Sequence, residues 1–170
     1  MKSLALFIFF LFSMPAAAQE ICELRSAAAP SLLNLRIGMT PEQTQSVFGR
    51  SLRIRIKGRG ERTFFENFIE KRPPQILNGV RALYLRYFDG RLYQIEIFYE
   101  PRQDMQTLAD ITRVLSLQLN FPLTVWTFTH NRAEAVCGEI SLVTDNILNP
   151  RIELTDVNVR EQILETRKKK

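Results

Sequence analysis

Apolar and polar positions alternate along several stretches of this chain and recur at helical spacing along others, and their order sets the expected architecture. From Leu52 to Lys57, Leu52, Ile54 and Ile56 alternate with Arg53, Arg55 and Lys57. That is the period of a half-buried strand, with one row in the core and a row of cations outside. Gly58 and Gly60 then allow a turn. Residues 61–79, with Pro73-Pro74 and Asn78-Gly79, read as a connection holding one short element around Phe64 to Ile69. Val80 to Tyr99 holds two runs rich in aromatic and β-branched residues around Asp89-Gly90. This pair suits the positive backbone angles of a tight turn, so a hairpin is predicted. Leu83, Leu85 and Tyr87 would share one face of its first strand, and Tyr93, Ile95, Ile97 and Tyr99 one face of its second.

Helical periods bracket these strands. In RIGMTPEQTQSVFG (36–49), Thr40 caps a helix, Pro41 suits its first position, Gln43 completes a capping box and Gly49 ends it. Met105, Leu108, Ile111, Leu115 and Leu119 mark an amphipathic helix from about Asp104 to Leu119, lying across the sheet. Val125 to Thr129, Ala133 to Val143 and Arg151 to Thr155 read as extended, with Asn149-Pro150 turning between the last two. Asp156 caps a final helix that turns Val159, Ile163 and Leu164 inward, its basic end complementing the helix dipole. The expected fold class is α+β, an antiparallel β-sheet with helices packed on one face.

The first residues change the compartment. Lys2, an apolar run from Leu4 to Phe12, Pro15 and Ala16-Ala17-Ala18 make residues 1–18 a secretory signal peptide, leaving 19–170 as a single domain. Within it, 36–99 form a helix-plus-hairpin module and 100–170 a helix, strands and the C-terminal helix. The expected location is the periplasm or the medium. Glu20-Ile21 stand where a lipobox needs small residues before Cys22, so no lipid anchor is expected. No later stretch approaches the ~20 apolar residues of a membrane span. In an oxidising compartment the two cysteines, Cys22 and Cys137, are expected to form one disulfide that ties down the N-terminus.

The segment 36–49, followed by strands paired through an Asp-Gly turn at 80–99, resembles the SmpA/OmlA (BamE-like) family of envelope proteins, and the order of small helices and antiparallel strands is similar to a β-lactamase-inhibitor-like module. The resemblance rests on Gly38, Met39, Thr40 and Gly49 and implies a scaffold or binding protein without catalytic residues.

Charge adds one candidate surface. The net charge is +5, and Arg53, Arg55, Lys57 and Arg59 would project from one strand face about 6 to 7 Å apart. They form a ladder suited to an anionic envelope component or protein. Nucleic acid is disfavoured by the compartment. Trp126 is the aromatic that could serve either as a lid on the core or as an exposed anchor. Catalytic candidates are thin. His130 lies in the polar stretch Thr129-His130-Asn131-Arg132, and no nucleophile elbow accompanies it. Glu96 and Glu139 are the carboxylate pair that a glycosidase would need. No cofactor and no metal site is expected. The leading expectation is therefore a non-enzymatic envelope binding protein, with a secreted enzyme inhibitor and a carboxylate-dependent hydrolase as alternatives.

Overall fold

A computed structural model of the chain describes residues 22–49, 51–70, 73–146 and 149–169. The expected signal peptide at 1–18, Arg50 and Lys170 lie outside the described residues. The polypeptide builds one seven-stranded sheet, antiparallel at every pairing, in the order β1-β2-β3-β7-β6-β5-β4. Helix α1 (Pro41–Phe48) precedes a meander of β1 (Glu61–Asn67), β2 (Val80–Phe88) and β3 (Arg91–Tyr99). Helix α2 (Leu108–Leu119) precedes a second meander of β4 (Trp126–Thr129), β5 (Arg132–Cys137) and β6 (Ile140–Asp145). Strand β7 (Arg151–Asp156) then inserts between β3 and β6, joining the meanders, and runs into helix α3 (Val157–Lys168).

Local signals account for most boundaries. Thr40 and Gln43 form the reciprocal capping box at α1, with Pro41 in the first turn, and Gly49 ends the helix at φ 59°. Thr107 and Asp110 form a second box that starts α2. This delays the helix relative to the expected Asp104, because residues 103–105 form a separate 3-10 turn. Asp89 and Gly90 have φ of 46° and 76°, as a two-residue hairpin turn requires. The stretch 133–143, expected as one extended run, is a hairpin that turns at Gly138-Glu139. Gly138 has φ 58°, and a Cβ there would meet the Leu24 carbonyl oxygen at 2.6 Å, so only glycine fits.

The register separates two faces. Leu83 and Leu85 of β2, Ile95 and Ile97 of β3, Ile152 and Leu154 of β7, Leu142 of β6 and Ala133 and Ala135 of β5 line one face. They join Ile111 and Leu115 of α2, Phe48 of α1 and Leu32, Leu35, Leu52 and Ile54 in one core. Tyr87 is fully buried there, its hydroxyl has no hydrogen-bond partner among the described residues, and burial pushes that hydroxyl's pKa up to about 12.

Helix α3 departs from the expected arrangement. Its Arg160, Ile163 and Arg167 share a groove with Arg86, Gln94 and Glu153, which belong to the opposite row of the sheet. The helices therefore lie on both faces and not on one. Ile163 is buried as expected, whereas Leu164 is 47% exposed. A bulge between Arg86 and Tyr87 in the β2–β3 pairing also moves Tyr93 out of the expected Ile95 and Ile97 row. Its hydroxyl donates to Glu61 Oε1 at 2.8 Å on the open side.

Candidate functional site

The cationic segment is built differently from its pattern. Leu52 and Ile54 are buried and Arg53, Arg55, Lys57 and Arg59 are exposed, so the alternation is real. However, residues 52–57 pair with no strand. The edge position beside β2 is taken by β1, which the sequence showed only as a short element inside a connection. The side chain of Gln45 supplies the missing partner. Its Oε1 accepts from Ile54 N at 2.7 Å, and its Nε2 donates to the carbonyls of Leu52 and Gly49. The segment is thus an extended strap pinned to α1 and to the core, with its cations turned to solvent. Gly58 and Gly60, at φ 91° and 74°, carry it around into β1, and Arg62 Nε donates back to Lys57 O at 3.3 Å. Among the described residues, none of Arg53, Arg55, Lys57 and Arg59 has a carboxylate within ion-pair distance.

The open face beside α3 gives the opposite picture. Arg151 sits at the centre of three carboxylates. Its Nε donates to Glu96 at 2.5 Å, one Nη to Asp145 at 2.7 Å and the other to Glu153 at 2.5 Å. The strand register causes this cluster, since Glu96 stands opposite Glu153 and Asp145 opposite Arg151. Burial alone would lower the Arg151 pKa, but the hydrogen bonds it donates to Asp145 and Glu96 outweigh it and hold the guanidinium charged. Phe98 lies under the same guanidinium, 5.8 Å from its centre, and Tyr84 and Phe65 continue an aromatic row across β2 and β1. At the far end of α3, Arg167 pairs with Glu61. Burial opposes ionisation of Glu61, yet the hydrogen bonds from Tyr93 and Arg167 bring its pKa below the usual carboxylate value. The remaining groove, about 310 Å³, is lined by the ion-paired Glu61, Arg151, Glu153 and Arg167 together with Arg86 and Arg160. Chemically this face is a lattice of satisfied ion pairs, with its acids hydrogen-bonded to guanidinium groups.

The other expected residues are dispersed. Trp126 is 7% exposed and its indole donates to Ser116 Oγ at 2.8 Å, so it is the lid on the core and not an exposed anchor. Cys22 and Cys137 form the disulfide, with Cα atoms 4.9 Å apart. His130 occupies the exposed β4–β5 turn. Glu139 lies in the β5–β6 turn, where it accepts from Ser26 N at 2.7 Å. Two strand spacings and four residues of register separate it from Glu96, roughly 10 Å across the strands and about 13 Å along them. That is too far for a carboxylate dyad. The acid that does face Glu96 is Glu153, and the alternation Arg151, Glu153, Thr155 against Ile152, Leu154 was the signal that could have found it.

Comparison with protein-family models, with curated proteins and with solved structures yields no match to this chain.

Proposed function

We propose that this protein is an exported, non-enzymatic binding or scaffold protein of the cell envelope, and that it engages an anionic envelope component through Arg53, Arg55, Lys57 and Arg59. One observation carries the reading. These four cations are exposed and unpaired among the described residues, on a strap whose backbone is held by Gln45 and whose alternate residues are buried. At the middle of the sheet, by contrast, Arg151 is engaged by three neighbouring acids. Free guanidinium and ammonium groups on an ordered backbone offer an acidic surface a preformed complement at little ordering cost. The disulfide supports export, because such bonds persist in oxidising compartments. The envelope role is the one that the SmpA/OmlA resemblance implies.

In-cell crosslinking in the native host tests this, comparing the wild type with an Arg53→Ser, Arg55→Ser, Arg59→Ser variant. A discrete adduct that disappears in the variant is expected. An adduct of equal yield in both would move the binding surface elsewhere. Stoichiometric inhibition of a secreted hydrolase by the wild type would instead assign the protein as an inhibitor.

A further inference from the structure

The sheet ends in two strands that have only one neighbour each, β1 and β4. An edge strand exposes unpaired backbone donors and acceptors, and proteins that stay apart guard it with charge, proline or cover. Strand β1 is guarded: it carries Glu61, Arg62 and Glu66 and follows directly on the cationic strap. Strand β4 is not. From Val114 to Asn131 the chain contains no Asp, Glu, Lys or Arg, although 24% of the whole is charged. The two-residue turn at His130-Asn131 makes Thr129 and Arg132 the closing pair. Hydrogen-bonded pairs alternate from there, so the backbone groups of Trp126 and Phe128 point away from the sheet. Large apolar side chains flank this edge on both faces: Phe128 is 53% exposed, Leu123 62% and Val136 52%.

We propose that β4 is a self-association edge. Two copies of this chain pair β4 with β4 in antiparallel fashion about a two-fold axis and extend their sheets into one. The occupant follows from the sequence of the edge itself. Self-pairing sets Trp126, Thr127, Phe128 and Thr129 against the same residues with no like charges opposed, and gives Phe128 an aromatic neighbour across the new ladder. An acidic partner finds no cation on β4 to recognise, which separates this edge from the strap beyond β1. The dimer carries its two straps at opposite ends of the joined sheet, roughly 60 Å apart at normal strand spacing. It would hold an extended or repetitive anionic target at two points.

The test is native mass spectrometry and sedimentation of the purified, disulfide-intact chain over roughly 1 to 100 μM, the range in which a modest interface is populated. Wild type is expected to dimerise and Phe128→Lys to be monomeric, with matching melting curves at a dilution where both are monomeric, because Phe128 is half exposed. An equimolar mixture of Phe128→Lys and Phe128→Glu is expected to restore a dimer containing one of each. A wild type that stays monomeric throughout, or a Phe128→Lys variant that still dimerises, overturns the proposal. So does a monomeric wild type that floats with anionic phospholipid vesicles in a Phe128-dependent way, which would assign the patch to a lipid surface.

Discussion

The two meanders follow one plan, a capped helix and three antiparallel strands on either side of β7, yet they solve opposite problems at their rims. At the β1 rim the core is sealed by the strap, whose Leu52 and Ile54 point in and whose cations point out. At the β4 rim the core is sealed by Trp126 bonded to Ser116 of α2, and the outside is left apolar. The β4 half also carries the covalent anchor. Cys137 ends β5 and holds Cys22, while Glu139 N donates to Leu24 O at 2.8 Å in the next turn. The comparison separates what each region contributes. The β4 half holds the N-terminal segment through the disulfide, while the cations of the strap at the β1 rim make no ion pair among the described residues.

Removing the disulfide should have the largest effect. With the cysteines 115 positions apart in sequence, Cys137→Ser is expected to cost about 4 to 5 kcal/mol on the chain-entropy account. The loss of hydrogen-exchange protection should centre on residues 22–35 and the β5–β6 turn and spare β1. A denaturation midpoint that does not move under reductant would count against the anchor. Next, Trp126→Ala should cost about 3 to 5 kcal/mol as a buried aromatic truncation. Phe65→Ala on β1, where the ring is 48% exposed and stacks on Tyr84 at 4.4 Å, should cost about 1 kcal/mol. Equal losses would erase the contrast between the rims.

Between the meanders, Arg151→Met should cost about 3 kcal/mol, because Glu96, Glu153 and Asp145 are left mutually repelling in a partly buried site. Urea denaturation at neutral pH checks this, and Glu96→Gln added to that variant should recover part of the loss. Acid acts more gently and at the β1 end. Glu61 is depressed in the folded state, so its stabilisation is complete at neutral pH. It is lost as pH falls from the unfolded value of about 4.3 through the lower folded value. Protection factors in the last turn of α3, referred to the intrinsic exchange rate at each pH, should therefore fall on acidification, and Glu61→Gln should show the lower protection already at neutral pH. The smallest stability effect belongs to the strap. Replacing Arg53, Arg55, Lys57 and Arg59 by Ser should change stability by no more than about 0.5 kcal/mol per site. The same variant should abolish capture of the envelope partner in a pull-down, and retained capture would sink the binding assignment.

The legible parts of the fold are those settled by neighbours in sequence. The β2–β3 hairpin follows from its Asp-Gly turn, α1 from its capping box, and the start of α3 from Asp156, whose side chain accepts from Val159 N at 3.0 Å. The strap shows where such reading stops. Alternation at 52–57 correctly separated buried from exposed residues, but alternation reports only which side chains face the core. It says nothing of whether a strand is available to pair with. Of the candidate surface, the four cations were visible as a pattern, and Arg151 with its acids was not, because residues 96, 145 and 153 meet only through the pairing of β3, β7 and β6.

By itself, then, the sequence determined the α+β class, the hairpin, the capped helices, the cysteine pair and the exposure of the strap, all through contacts a few residues long or through thiols with no other partner. Tertiary structure alone decided that β7 lies between the meanders, that α3 crosses the open face, that β1 and not the strap takes the sheet edge, and that Trp126 closes the core. Each of these depends on which of several compatible edges and faces a segment finds once the rest of the chain is in place, a choice made by long-range packing and backbone pairing.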